Sequence, residues 1–223
     1  MQSGQGGIRW NSVTKKIQLM DENKNWVDWQ SYDPDKKVVV IEAPSDSSTV
    51  DLHRTITVQQ SGIYIVMTAS LRNYASTITS TGTVLNYVQP LGVGFKFAII
   101  NASANNTIKV DVYVEGTEMA LAAIYYLPGV SRLKSDPTYT NSWRYGTSLN
   151  YTNGIANCIF GAAVASRNAD NLSLQTDFQG ERYYKYNTRN ISSFCAIPDS
   201  NYASATFTNT YNAGGFIVYC NFE

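Results

Sequence analysis

The sequence predicts an all-β protein with a short N-terminal meander followed by a larger antiparallel β-sandwich. Three observations predict this class. Segments rich in β-branched and aromatic residues recur at short intervals, and turns containing Gly, Asn or Ser separate them. No segment has the apolar period of an amphipathic helix. A chain of 223 residues is long enough to bury a sizeable core.

The N-terminal segment, residues 7–29, has apolar residues in small clusters separated by polar turns. The clusters are Ile8 with Trp10, Ile17 with Leu19, and Trp26 with Trp29. This spacing predicts two or three short antiparallel strands. A meander of this size has almost no core of its own. We therefore expect it to pack on a partner surface, either the rest of the chain or identical copies.

The same segment resembles a module found in bacteriophage tail-fibre and receptor-binding proteins. The residues that carry the resemblance are Ile8, Arg9, Trp10, Asn11, Lys16, Ile17, Gln18, Leu19 and Trp26. Residues 20–23, Met-Asp-Glu-Asn, stand where a Gly-containing turn is more usual in that family. The resemblance implies a module that precedes a C-terminal head and helps to hold three chains together. The alternative is an ordinary β-hairpin with a Trp at its end.

Composition narrows the class of partner. The formal net charge is zero and charged residues make up 15% of the chain, so the basic patch that nucleic acids or anionic membranes require is absent. No apolar run is long enough to span a bilayer. The 16 tyrosines and many Asn, Ser and Thr residues suit contact with sugars or other uncharged polar surfaces. We expect no nucleic-acid partner and no membrane insertion.

Cysteine usage argues against a disulfide framework. Cys158, Cys195 and Cys220 are an odd number in a chain of this length, and each lies in an apolar or aromatic context. They are expected to be buried packing residues in a chain made in a reducing cytoplasm. His53 is the only histidine, so no Cys/His zinc spacing exists. We predict no metal and no cofactor.

Turn signals divide the chain into domains. The polar connector at residues 31–37 separates an N-terminal meander, 1–36, from a head, 37–223. A second break at Pro128-Gly129, followed by a less regular stretch, marks a possible subdivision of the head near 129–153. The strands predicted in the head are 38–42, 50–58, 63–71, 82–88, 93–100, 107–114, 119–127, 155–165, 172–178, 182–186, 194–197, 204–210 and 215–222.

Two of these strands resemble those of the trimeric jelly-roll heads of the tumour-necrosis-factor and complement families. The matching segments are 57–66, which contains Gly62-Ile63-Tyr64, and 214–219, Gly-Gly-Phe-Ile-Val-Tyr. The resemblance implies a jelly-roll-like sandwich, with Tyr64 and Tyr219 as candidates for a buried axis between chains. The alternative is that both are ordinary core tyrosines with satisfied hydroxyls.

No catalytic constellation is evident, and we predict that the chain is not an enzyme. His53 lies on an alternating strand, and no Gly-x-Ser-x-Gly elbow exists. Glycoside hydrolysis requires only two carboxylates and therefore stays open. Asp111, Glu115 and Glu118 are the candidates for it, and a solvated turn is the simpler explanation for them.

The predicted binding site is the Asn- and aromatic-rich stretch from Tyr139 to Tyr151, which lacks clean alternation and is predicted to be a loop. Aromatic rings there are suited to stack on a sugar, and the polar side chains to bond its hydroxyls. The candidate residues are Tyr139, Asn141, Trp143, Arg144, Tyr145, Asn150 and Tyr151. The alternative is that Trp143 and its neighbours pack as a satellite core or at an interface between chains.

These observations lead to two functional hypotheses. The first is a homotrimeric virion protein of a phage tail, made in the host bacterial cytoplasm, that contacts other tail proteins and attaches to a host cell-surface receptor, a saccharide. The second is a trimeric cytokine-like or structural β head that binds a protein partner.

Overall fold

A computed structural model describes the chain in segments, and every regular element in them is a strand, which confirms the all-β class. The described residues are 8–11, 16–20, 26–28, 39–42, 52–71, 75–92, 94–113, 119–127, 129–144, 148–152, 157–165, 172–176, 183–188, 190–197, 204–208 and 213–223. Contacts divide the chain into two compact units, Met1–Lys36 and Lys37–Glu223.

In chain order the strands are β1 (Ile8–Asn11), β2 (Lys16–Met20), β3 (Trp26–Asp28), β4 (Val39–Glu42), β5 (Leu52–Thr57), β6 (Gly62–Ser70), β7 (Ser76–Ser80), β8 (Thr83–Leu91), β9 (Phe95–Ala102), β10 (Thr107–Val112), β11 (Ala120–Leu127), β12 (Thr138–Arg144), β13 (Ser148–Thr152), β14 (Cys158–Ala165), β15 (Ser173–Thr176), β16 (Tyr183–Asn187), β17 (Ile191–Ala196), β18 (Ser204–Thr208) and β19 (Ala213–Cys220).

The first unit is a three-stranded antiparallel sheet in the order β1-β2-β3. Trp10 lies opposite Ile17, and Met20 lies opposite Trp26. The predicted N-terminal meander is therefore confirmed, with three strands.

The described residues of the second unit form four antiparallel sheets. The first large sheet has the order β4-β11-β6-β9-β8, and the first small sheet has the order β5-β10-β7. The second large sheet has the order β12-β19-β14-β17-β16, and the second small sheet has the order β13-β18-β15. We call residues 39–127 the first half and residues 138–220 the second half.

The two halves have the same strand order. Adding eight to each strand number of the first large sheet yields the order of the second large sheet, and the same holds for the two small sheets. A sandwich of one large and one small sheet is therefore present twice. The joint between the copies lies at residues 128–137. Long-range pairing of this kind is not visible in a strand-by-strand reading of the sequence.

Three apolar cores lie between the sheets. Residues of the first large and small sheets, such as Val66 and Val110, form one core, and residues of the second large and small sheets, such as Ile217 and Phe207, form another. A central core joins side chains of the two large sheets, among them Phe97 and Phe160. The central strands of the large sheets are thus buried on both faces, so every residue of β14 and β17 and all but the first of β6 are buried.

Aromatic contacts cross the central core. The Phe97 ring lies edge-on to Phe160, with a centroid separation of 5.4 Å, and 5.9 Å from the Phe216 ring. One polar contact also crosses this core, between the Tyr125 hydroxyl and Ser193 Oγ at 2.6 Å. These contacts join the two halves.

Two sequence-based interpretations are settled by burial. Cys158, Cys195 and Cys220 are free and buried, which confirms their predicted burial. The interpretation of Tyr64 as part of an axis between chains is wrong, because its ring is 1% exposed inside the first half. Its hydroxyl donates to the Gln60 carbonyl at 2.7 Å, so Tyr64 is a satisfied core tyrosine. Tyr219 packs against the core of the second half.

Candidate binding face

The stretch predicted to be a binding loop is mainly two strands, and the loop prediction is wrong. Seven consecutive residues of β12 pair with β19, and β13 pairs with β18. The segment is rich in Thr, Tyr and Ser, and strands accept such residues where one face packs. Strand β12 forms an edge of the second large sheet, and an edge strand needs no regular apolar alternation.

Of the predicted site residues, the structure brings together Tyr139 and Asn141. They occupy alternate positions of β12 and therefore share a face, and both are exposed. Tyr139 is 38% exposed, and its ring lies edge-on to Phe97 at 6.3 Å, so it also covers the rim of the central core. The backbones of Trp143 and Arg144 end β12, and those of Asn150 and Tyr151 lie in β13. The side chains of these four, and all of Tyr145, lie outside the described residues.

A more completely defined polar surface lies on the first small sheet. Its inward positions, such as Ile78 and Val110, are buried in the core, and the alternating positions face outward. We call these outward positions the first outer face. They are His53, Thr55, Thr57, Thr77, Thr79, Thr107, Lys109 and Asp111.

Strand register arranges this face in rows. Asp111 on the central strand lies opposite His53 on one side and Thr77 on the other. Lys109, in the next row, lies opposite Thr55 and Thr79. Directly opposed side chains lie about 5 Å apart, so each row is a continuous contact surface.

Asp111 is the centre of a hydrogen-bond network. His53 Nδ1 lies 2.7 Å from Asp111 Oδ1. The Thr77 hydroxyl donates to Asp111 Oδ2 at 3.2 Å, and Lys109 Nζ lies 3.0 Å from the same oxygen. The Asp111 side chain is 9% exposed, whereas those of His53 and Lys109 are 56% and 53% exposed. A nearly buried carboxylate therefore holds two exposed side chains in place.

The network also determines the protonation of Asp111. Burial alone would raise the pKa of this carboxyl group, but hydrogen bonds from His53, Lys109 and Thr77, with the charge of Lys109, outweigh that effect and lower the pKa. Asp111 is therefore ionised at neutral pH and acts as an acceptor. An ionised carboxylate can only accept, so Nδ1 of His53 carries the hydrogen between them.

An aromatic platform borders the network. The Tyr113 ring is 42% exposed and lies edge-on to the His53 ring at a centroid separation of 5.8 Å. His53 Nε2, the remaining hydrogens of Lys109 and the hydroxyls of Thr55 and Thr79 add donors and acceptors. This combination of a ring and mixed hydrogen-bonding groups can contact the apolar and hydroxyl faces of a sugar.

The second small sheet has a corresponding surface with different chemistry. Its outward positions with described side chains, which we call the second outer face, are Ser173, Gln175, Ser204, Thr206 and Thr208. Gln175 lies opposite Thr206, which in turn lies opposite Asn150. None of these residues is charged, so a carboxylate network is specific to the first outer face among the described positions.

Other kinds of site find little support in the described residues. They contain no group of three or more His, Cys, Asp or Glu side chains that could hold a metal ion. Likewise, no helix long and apolar enough to cross a membrane exists in the described segments. Of the three carboxylates considered for glycoside hydrolysis, Asp111 lies in β10 rather than in a solvated turn, and Glu115 and Glu118 lie outside the described residues.

Sequence reasoning missed the first outer face because strand β7 was not predicted and His53 lies 58 residues from Asp111. The available signal was alternation: Lys109 and Asp111 stand between apolar residues in one strand, and Thr57 does so in another, although Arg54 interrupts the pattern between His53 and Thr55. Which strands are adjacent is set by pairing, and alternation does not report it.

No protein-family model, curated protein or solved structure matches the chain.

Proposed function

We propose that this chain is a host-attachment protein of a bacteriophage tail, and that its head binds a saccharide on the host cell surface through the first outer face. The observation that carries the proposal is the Asp111 network, in which a nearly buried carboxylate positions two exposed polar side chains beside an exposed tyrosine ring. The N-terminal meander supports the phage assignment through its resemblance to tail-fibre modules.

The architecture is suited to this role. Binding residues on strands are held more rigidly than residues on loops. The inner side of the first small sheet packs on the apolar core of the first half. We further propose that each half is a variant of the jelly roll, which distributes eight strands over two sheets; here they divide into five and three. In this reading, the virion is the location of the protein, and other tail proteins are partners of the meander.

The test is binding of the purified chain to a glycan array and to host cells. Tyr113→Ala and Lys109→Ala are each expected to weaken binding about fivefold, because loss of a stacking or charged contact costs roughly 1 kcal/mol. Gln175→Ala, on the second outer face, is the matched control and should bind as the wild type does. Wild-type binding that neither variant changes would refute the first outer face as the site.

The same assay tests the binding site that the sequence predicts at residues 139–151. Loss of binding in Trp143→Ala and Tyr145→Ala, with an unchanged melting temperature, would assign the site to residues 139–151. Loss of stability in these variants would instead assign both residues to packing.

The protein-partner hypothesis has one observation in its favour. Strand β8, an edge of the first large sheet, exposes Val84, Leu85 and Tyr87 by 43%, 36% and 46%. An apolar strip of this kind is typical of surfaces that contact other proteins. Capture of a single host protein by wild type, lost in Tyr87→Ser and retained in Tyr113→Ala, would favour this hypothesis.

We also propose a homotrimer, because a three-stranded meander is marginal unless its apolar face is covered. Light scattering should return three times the chain mass. A monomer at micromolar concentration would contradict the trimer. Deletion of residues 7–29 should lower trimer stability while leaving the head folded.

A further inference from the structure

The three cysteines of the chain meet at one place in the second large sheet. Cys158 lies directly opposite Cys220 where β14 pairs with β19. Cys195 lies on the other neighbouring strand, β17, opposite Phe160. All three are buried in the central core.

The duplicated strand order shows what a purely packing role would look like. The pair Cys158 and Cys220 corresponds to Ile63 and Leu127 in the first half, which are also directly opposed. Cys195 corresponds to Ile99. Three adjacent positions filled by branched aliphatic residues in one half are thus filled by thiols in the other. Packing alone does not require sulfur at any of them.

We propose that this cluster is an oxidation site, at which Cys158 and Cys220 form a disulfide when the chain meets a disulfide oxidant of the glutathione class. Residues directly opposed on antiparallel strands have Cβ atoms about 5 Å apart, close to the separation that a disulfide needs. The bond would tie the last strand of the chain to the centre of the second large sheet.

The reaction is a thiol–disulfide exchange in two steps. The sulfur of one cysteine, as thiolate, attacks the oxidant, forms a mixed disulfide and releases one reduced thiol. The second cysteine thiolate then displaces the other half, so the protein S–S bond forms, the oxidant S–S bond breaks, and the two protons leave with two reduced small thiols. All three thiols are buried, so a dissolved oxidant has little access to them and exchange in the closed native state is slow.

The experiment compares chain refolded in a glutathione/glutathione-disulfide buffer with chain kept in reductant. Thiols are alkylated after denaturation without further reduction, and the peptides are identified by mass spectrometry. We expect one free thiol per oxidised chain and a peptide linked through Cys158 and Cys220. The reduced chain should have three free thiols. The oxidised chain should melt roughly 5–10 °C higher, since the bond closes a long loop.

Variants separate the pair from its neighbour. Cys195→Ser should keep the linked peptide, and Cys220→Ser should lose it. Three free thiols in wild type after equilibration, or a linkage that joins two chains, would overturn the proposal. If a variant does not fold, the free thiols and the linked peptide of wild type alone decide whether the disulfide forms.

Discussion

The two halves of the head share one strand order and differ in the chemistry placed on it. In the first half, the outer face carries the Asp111 network, and the large sheet has aliphatic residues at the positions equivalent to the three cysteines. In the second half, the corresponding described outer positions are uncharged and the large sheet contains three thiols. The same strand order therefore supports different chemistry, and the residues at equivalent positions set what each face can bind or undergo.

The two halves place large and small side chains at different members of an equivalent residue pair. In the first half, Val66 lies opposite Ala98, and at the equivalent positions of the second half Gly161 lies opposite Phe194. A Cβ atom on Gly161 would lie 2.7 Å from the Phe216 carbonyl oxygen and 2.9 Å from the Phe194 ring. The second half therefore needs glycine where the first accommodates valine.

The largest expected effect tests whether the halves are one cooperative unit. Phe160→Ala removes a ring that packs on Phe97 across the central core, and the cavity should cost about 3–5 kcal/mol. Because both large sheets line this core, calorimetry should show one transition shifted to lower temperature. Phe207→Ala, in the core of the second half alone, is the matched variant. Two separate transitions in Phe160→Ala, one of them at the wild-type temperature, would contradict a shared unit.

The second prediction concerns this difference in side-chain size at Gly161. Gly161→Ala should lower the free energy of unfolding by about 1–3 kcal/mol, because the added methyl group meets fixed backbone as well as a ring. Adding Phe194→Ala removes the ring contact but not the clash with the Phe216 carbonyl, so urea denaturation of the double variant should show no recovery to wild type. Full recovery would mean that the ring alone excludes a side chain there.

Much of the fold was predictable from local pattern. The turn-bounded apolar runs at Ile63–Leu71 and Met119–Leu127 coincide closely with β6 and β11. Strand β7, Ser-Thr-Ile-Thr-Ser, was missed because it contains a single apolar residue, Ile78. Strand β12 was missed because edge strands show weak alternation.

The repeat of the sandwich could not be deduced from local pattern, because strand order depends on pairing over long distances. The Asp111 network was hidden for the same reason, because His53, Thr77 and Asp111 come from three separate strands.

A third prediction tests the hydrogen bond that joins the two halves. Tyr125→Phe removes the buried hydrogen bond to Ser193 and should cost about 1 kcal/mol. Ser193→Ala should cost a similar amount. If the bond joins the halves, the double variant should be less destabilised than the sum of the two single variants, as measured by urea denaturation. Strict additivity would show that the two hydroxyls act independently.

The smallest predicted effect is the pH-dependent stability that Asp111 gives to the first outer face. The pKa of Asp111 is lowered in the folded state by the hydrogen bonds from His53, Lys109 and Thr77, despite burial. Its contribution to stability is therefore fully present above the unfolded carboxyl pKa, about 3.9, and is lost as pH falls through the lower folded value. Asp111→Asn should cost less than about 1 kcal/mol at pH 7, because the side chains of its partners, His53 and Lys109, are half exposed.

The measurement is thermal unfolding of wild type and Asp111→Asn at pH 7 and near pH 3, with Asp136→Asn, an exposed carboxylate of the joint between the halves, as the control. The gap in melting temperature between wild type and Asp111→Asn should narrow at the lower pH, since protonation of Asp111 removes the interaction that the variant lacks. The control should show no gap to narrow. A gap of the same size at both pH values would mean that Asp111 stabilises the first outer face by shape rather than by charge, and the binding role proposed for the network would then rest on Lys109 and Tyr113 alone.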